Sequence, residues 1–380
     1  MSKIGNFVKQ PAGYYAFIPN PFPPKKLIEW DNSLIKLLSD ANFAIGRLKE
    51  IENIVPDVDF FIFMYIKKEA ALSAQIEGTQ ATIIDLLKSE AKIDDEIKSD
   101  VYEIKNYIKA MNYGIERLKK LPLSLRLICE IHQKLLTGVR GHHKNPGEFR
   151  KIQNWIGGPT IETATFVPPP ASEVLKAMSD LEKFIHNDSD NLPTLAKAGL
   201  IHAQFETIHP FLDGNGRMGR LLITFYLLTK GVLKRPLLYL SDFFKKNRQD
   251  YYDKLNFYRK ENGVEVWLRF FFEGVKKVAN EAADTALKIM KLRQDDTQII
   301  TSFGRNAKTA LILLDKLYSL PIVDWKLVAK ITGLNSKSSV NQLIEKFVKN
   351  KILEEITGQK RNRIYVYRKY LNNFSEEKIN

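Results

Sequence analysis

The stretch His209-Pro210-Phe211-Leu212-Asp213-Gly214-Asn215-Gly216-Arg217-Met218-Gly219-Arg220 lies between two apolar helical patterns, at about 192–208 and 215–230. Its residue types assemble a compact phosphate site. Two glycines let the backbone come close to a ligand, and the amides opening the helix after Asn215 are unpaired donors at its positive end. Arg217 and Arg220 are three residues apart, so both leave one side of that first turn and can clamp a polyphosphate. Asp213 adds the hard oxygen that a magnesium–phosphate complex needs. His209, just before the cradle, titrates near neutrality and can take a proton from an incoming hydroxyl. No GxxxxGK[ST] occurs in the chain, which argues against a P-loop kinase or ATPase.

Outward from this stretch the chain is mostly helical. Apolar spacing predicts helices over about 27–54, 58–77, 80–90, 96–119, 123–137, 172–187, 242–261 and 264–292. The segment up to Pro24 is rich in Pro, Gly and aromatics and reads as an extended arm. Between 138 and 171 the pattern breaks, and Thr160–Val167 reads as a short hairpin or flap. After Thr297 come helices near 306–318, 325–331 and 337–350, then strand-like runs at 352–357 and 363–367, the order of a winged helix-turn-helix. The expected division is an arm and helix at 1–57, a core at 58–292 and a winged-helix domain at 297–372.

The segment from His209 to Arg220 matches in full HxFx(D/E)GNGRxxR, the motif of the Fic family, and the chain resembles Fic enzymes over about residues 60–275. The resemblance implies a mainly α Fic-type core with a short flap. It also implies transfer of AMP from ATP to a protein hydroxyl, with release of pyrophosphate. Carried over, His209 is the base and Asp213 holds Mg²⁺. Gly214, Asn215 and Gly216 form the anion hole, while Arg217 and Arg220 hold the β- and γ-phosphates. Phe211 is a buried packing residue. The related Doc branch has Lys at the place of the second Gly, so Gly216 favours nucleotidyl transfer over phosphorylation. Thr163, Ala164, Thr165 and Phe166 look like the family's strand that pairs with the target backbone; by composition alone they are an ordinary surface hairpin. Asn247, Tyr251 and Tyr252 are adenine-contact candidates, although the two tyrosines point in different directions on a helix and one of them belongs in the core.

Upstream, Ser73-Ala74-Gln75-Ile76-Glu77-Gly78 ends an apolar helix, with Gly78 as a C-cap. By composition it is a routine helix end. It also matches the family's inhibitory motif (S/T)xxxE(G/N), which implies that Glu77 pairs with Arg220 and keeps ATP from a productive pose. In some relatives the same glutamate supports removal of AMP, so the reverse reaction stays open.

The composition bounds the rest. With 380 residues, 44% of them hydrophobic, the chain can bury a sizeable core. Cys129 is the single cysteine, which excludes an internal disulfide and, in its apolar stretch, reads as packing. The amino terminus lacks a signal-like apolar run, and no stretch of roughly 18 apolar residues could span a bilayer. The expected address is the cytoplasm, with no membrane partner. His142 and His143 read as solvent-exposed, His132 and His186 have no partner by spacing, and His202 reads as helix packing near the site. Residues 301–380 hold 15 Lys/Arg against 7 Asp/Glu, whereas the first 300 hold 43 against 37. Lys360, Arg361 and Arg363 gather at the expected wing tip, and Ser336-Lys337-Ser338-Ser339 opens the would-be recognition helix. A DNA or protein partner through 297–372, a homodimer and self-modification are left open. So is a rival reading, a DNA-binding regulator whose Fic core senses nucleotide.

Overall fold

The computed structural model describes residues 4–24, 27–54, 59–92, 99–139 and 141–374. The expected boundary at 57/58, the amino-terminal Met1–Lys3 and the first residues of the helix expected from 96 lie outside them. The chain opens with an antiparallel hairpin, β1 (Gly5–Lys9) and β2 (Tyr15–Pro19), in register Gly5↔Pro19 to Lys9↔Tyr15. The expected plain arm is therefore a paired element. Phe17 N donates to Val167 O at 3.0 Å, and the Phe7, Phe17 and Phe166 rings pack together, so the hairpin is built onto the base of the flap.

The helical body follows in order: α1 (Asn32–Ile54), α2 (Asp59–Ile76), α3 (Ile83–Glu90), α4 (Ser99–Leu118), α5 (Leu125–Leu136), α6 (Ala171–His186), α7 (Thr194–Ile208), α8 (Asn215–Thr229), α9 (Ser241–Lys246), α10 (Arg248–Tyr258) and α11 (Gly263–Thr301). From Leu195 to Ile208 every residue of α7 is buried, because α6, α8, α10 and α11 all pack around it. A helix buried on all sides, its Lys197, His202, Gln204 and Glu206 included, can sit only at the centre of such a body. The His209–Gly214 loop joins α7 to α8 and is thus carried by the most enclosed part of the molecule.

Three expectations change. The helix expected over 242–261 is two helices, because the Asn247 side chain donates to Phe243 O at 2.8 Å and turns the chain there. The flap is not a hairpin: Ile156 and Phe166 form one isolated bridge, and Thr163 N turns back onto Thr160 O. Gly157 and Gly158 at φ 70° and 74° and Pro159 leave no ladder to extend. The break expected between 292 and 297 is absent. Neither Gly nor Pro occurs from Val275 to Phe303, and buried Ala279, Ala282, Ala283 and Ala286 carry α11 on into the next unit.

That unit comprises α12 (Ala307–Leu317), β3 (Ile322–Asp324), α13 (Trp325–Thr332), α14 (Lys337–Lys349), β4 (Glu354–Glu355), β5 (Ile364–Val366) and α15 (Arg368–Leu371). Its sheet has the order β3-β5-β4, all antiparallel, and β3 is a strand the sequence reading missed. Asp324 caps α13, Gly333 ends it in the left-handed region, and Ser336 caps α14. The strands are shorter than expected because Glu355 turns onto the amides of Thr357 and Gly358. Buried Asp296 of α11 accepts a hydrogen bond from Tyr367 and locks the unit onto the long helix.

Candidate active site

His209 follows α7 in the left-handed region, φ 48° and ψ 59°, with its amide on Phe205 O at 2.9 Å. A side chain larger than glycine is strained there. The segment after α5 supplies the compensation. Buried Arg150 donates from Nε to His209 O at 2.9 Å and from Nη2 to Pro169 O at 2.5 Å, and its amide meets Pro210 O at 2.8 Å. Burial lowers the Arg150 pKa to about 10, and its carbonyl partners hold the group in place. Asn154 Nδ2 adds a bond to Phe211 O at 2.9 Å.

Phe211 is fully buried and stacks on His132, ring centroids 3.6 Å apart and planes 5° apart. His132 Nδ1 accepts from Gly147 N at 2.9 Å, so its proton is on Nε2, which donates to Asp213 O at 2.9 Å. Burial pushes its pKa down to about 4, in keeping with a neutral ring. Asn215 closes the loop from the other side: its side chain accepts from Phe211 N at 2.9 Å and donates to Phe211 O at 2.8 Å. The Asn215 amide group is therefore a loop clasp, and what it offers an anion is its backbone.

The cradle is built for close approach. Gly214 begins α8 at φ 76° with no side-chain cap, which leaves the first amides of the helix without that partner. A Cβ on Gly216 would lie 2.1 Å from Glu77 Oε1 and 3.1 Å from Arg220 Nη1. Arg217 Nη1 reaches Glu103 Oε2 of α4 at 3.2 Å, and Nη2 lies 3.5 Å from Asp213 Oδ1. Thr79 donates to the same Glu103 oxygen at 2.8 Å. Arg220 Nε donates to Ser73 Oγ at 2.8 Å, and Nη2 meets Ser73 O at 2.9 Å and Glu77 Oε1 at 2.7 Å. Burial opposes the Arg220 charge, but Glu77 and the ring hydroxyls around it outweigh that and raise its pKa. Arg217 Nε and Arg220 Nη1 are buried donors with no protein acceptor, the kind of group that a phosphate oxygen satisfies.

Glu206, one turn before His209 and 6% exposed, places Oε2 at 3.6 Å from His209 Nδ1. Gly219 makes room for it, since a Cβ there would meet Glu206 Oε1 at 2.4 Å. Burial acts to raise its pKa; His209, His202 and Arg220 reverse that and hold the carboxylate below its usual range.

Some sequence candidates fall elsewhere. Tyr251 is 1% exposed and its hydroxyl is 2.9 Å from His202 Nε2, so it is a core residue and not a surface for adenine. Tyr252 is half-buried; it and Arg248 reach Ile76 O, at 3.5 and 2.9 Å, and hold the end of α2. Asn247 is half-buried, and its Nδ2 donates to Phe243 O at the helix turn. In the flap, Thr163 and Thr165 are exposed and Ala164 is half-buried, but Phe166 is buried with the Arg259 guanidinium 3.4 Å from its ring, so it anchors the flap and does not face a target. Gly78, at φ 99°, turns the chain between Glu77 and Thr79. Asp213 sits at the mouth with its carboxylate 31% exposed. Among the described residues no group of three metal-binding side chains occurs, and the His142–His143 pair is exposed. Sequence reading missed Glu103, Thr79, Arg150 and His132 because they come from distant segments. Glu206 had a visible signal, its spacing of three from His209.

Residues 35–116 match the Fic/DOC family N-terminal domain, and residues 122–227 match the Fic/DOC family domain. The protein adenylyltransferase Fic of Drosophila grimshawi is 30% identical over 263 residues, covering 67% of this chain and 48% of that protein. Its counterpart in Drosophila willistoni is 28% identical over 276 residues, 70% of this chain and 49% of that one. The chain thus spans about half the length of the curated relatives it matches. A Fic family protein from Desulfovibrio desulfuricans shares the fold with TM-score 0.57 at 16% identity, over 93% of this chain and 99% of that one. A Fic-1 variant from C. elegans superposes with TM-score 0.50 at 18% identity, over 67% and 71%. These two carry the fold alone. With both domain matches taking in the loop and the Ser73–Gly78 turn, the chain belongs to the Fic/DOC family.

Proposed function

We propose that the protein is a protein adenylyltransferase that moves AMP from ATP onto a Ser, Thr or Tyr hydroxyl of a protein, itself included, and is held back by Glu77. The observation that carries this reading is the pair of buried, unsatisfied guanidinium donors, Arg217 Nε and Arg220 Nη1, beside the opening of α8. The acceptor hydroxyl gives its proton to His209 while its oxygen forms a bond to the α-phosphorus. The bond to the bridging oxygen breaks and pyrophosphate leaves toward the arginines. The Asp213 carboxylate fits Mg²⁺ brought in on the nucleotide, since magnesium keeps few protein ligands and shares phosphate oxygens. Such an ion would neutralise phosphate charge; positioning falls to the loop.

Glu77 occupies the guanidinium face that a γ-phosphate needs, so ATP bound against it is misaligned. Incubation with α-labelled ATP and Mg²⁺ tests both points. Glu77→Gly is expected to raise self-labelling and His209→Ala to abolish it. Labelling that survives His209→Ala overturns the base, and equal labelling of wild type and Glu77→Gly overturns the brake. The same Glu77 variants, given AMP-modified protein, report whether AMP removal competes. Residues 297–372 are read as a winged helix for DNA or a protein partner, on the strength of Lys360, Arg361 and Arg363, all exposed. Salt-sensitive duplex binding by the full chain, lost when the three become Ala, tests this. If that binding is seen while no labelling is, the regulator reading replaces the enzyme.

A further inference from the structure

A cavity of about 480 Å³ lies away from the phosphate loop, bounded by α2, α9, α11 and the Asn372–Phe374 end of the C-terminal unit. That volume falls in the range of small-molecule sites. Its floor is aromatic: Tyr65 stacks on Tyr239 with centroids 6.4 Å apart, and Phe374 meets Tyr65 edge-on at 5.7 Å. Its rim carries three ammonium groups. Lys68 is 2.9 Å and Lys246 3.3 Å from the single carboxylate of Asp242, and Lys245 donates to the neutral Gln75 Oε1 at 2.6 Å. The other two acids that line it are Glu281 and the buried Glu69, which accepts hydrogen bonds from Ser241 and Tyr107. Lys245 faces a neutral amide where Lys68 and Lys246 share a carboxylate, and lysine ammoniums are point-charge ligands for phosphate.

We propose that this cleft binds a small aromatic phosphate monoester and that its binding releases the Glu77 brake. The phosphate lies among Lys68, Lys245 and Lys246, and the ring on Tyr65, Tyr239 and Phe374. The route to Glu77 is short. Gln75, two residues before it, donates from Nε2 to Ala81 O at 2.9 Å and so straps the turn that carries Glu77. Lys245 holds the other end of that amide. A phosphate that draws Lys245 to itself takes away the group orienting Gln75, and the turn can move Glu77 off Arg220. This regulation rests on reading Glu77 as the brake.

Phenyl phosphate is the probe, applied to the full chain by calorimetry and by self-labelling. Saturable binding is expected in wild type and in His209→Ala alike. It should weaken by about tenfold or more, the effect of about 1.4 kcal/mol, in Lys245→Ala and Lys246→Ala. Inorganic phosphate should bind more weakly than phenyl phosphate. Phenyl phosphate should raise labelling by wild type and leave Glu77→Gly unchanged, and Lys245→Ala alone should raise labelling because it cuts the same strap. Absence of saturable binding overturns the site, as does binding indifferent to the lysines and lost in Arg217→Ala. Binding without any rise in wild-type labelling, when Glu77→Gly is active, overturns the coupling. If Glu77→Gly labels no more than wild type, the brake itself fails while the binding arm still decides the cleft. Thermal melts of the lysine variants show that they remain folded.

Discussion

Arg217 and Arg220 stand three residues apart on one helix, and each is met by a carboxylate from another helix or its end. The two pockets differ in burial. Glu103 is 5% exposed in its side chain and also takes Thr79, so the Arg217 pair is closed into the body. Glu77 is 29% exposed in its side chain, at a helix end turned by Gly78, while Ser73 holds Arg220 from beneath. One carboxylate is enclosed and the other is partly open to solvent. Both arginines are buried, so losing either carboxylate strands a charge, and water reaches the place of Glu77 more readily than that of Glu103.

The sharpest way to break this comparison is to remove each carboxylate in turn. Glu103→Ala is expected to cost about 3–5 kcal/mol in urea unfolding, because Arg217 is left buried with only the distant Asp213. Glu77→Ala should cost less, about 1–3 kcal/mol, since Arg220, itself buried, keeps both Ser73 bonds and Glu77 is partly exposed. Equal costs would remove the distinction.

The next effect concerns the floor of the loop, common to both pockets. The folded pKa of His132, about 4, lies below its ordinary 6.5. The unfolded chain therefore binds the proton first, and stability present above about pH 6.5 is lost as pH falls toward 4. The shift corresponds to about 3 kcal/mol across that window. Unfolding measured in EDTA should show this slope in wild type and a flatter one in His132→Gln.

Smaller still is the expected loss at Glu206. In a Glu77→Gly background, Glu206→Gln should lower the labelling rate by about tenfold, the effect of about 1.4 kcal/mol in the transition state, with little change in the ATP concentration needed for half-maximal rate. An unchanged rate would mean that the carboxylate beside His209 only balances buried charge. Smallest is Tyr251→Phe, which removes one bond to His202. It should cost about 1 kcal/mol and leave labelling intact, because Tyr251 is core.

Much of the fold was legible because helices announce themselves locally. The spacing of apolar residues located α2, α5, α7 and α8 to within a residue or two at most of their ends. Failures came where a distant contact overrode the local pattern. The arm pairs with itself and leans on Val167, Asn247 cuts a helix with its own side chain, and α11 runs through an expected linker because nothing in its composition stops it. At the site, the linear motif contained most of the groups that line the cradle. It did not contain Arg150, His132 or Glu103, which hold those groups, because support of a loop comes from whichever segments pack against it.

The sequence by itself determined which residues make up the candidate site: the His209–Arg220 segment places the histidine, the glycine cradle and two arginines within twelve residues, and the Ser73–Gly78 turn supplies an acid. Both are short-range facts of spacing on helices. Only the tertiary structure decided that Arg217 is met by Glu103, that Tyr251 lies in the core, and that Lys245 stands behind Glu77 through Gln75. Those outcomes depend on which helices are neighbours, and that is settled by burying apolar faces across the whole chain.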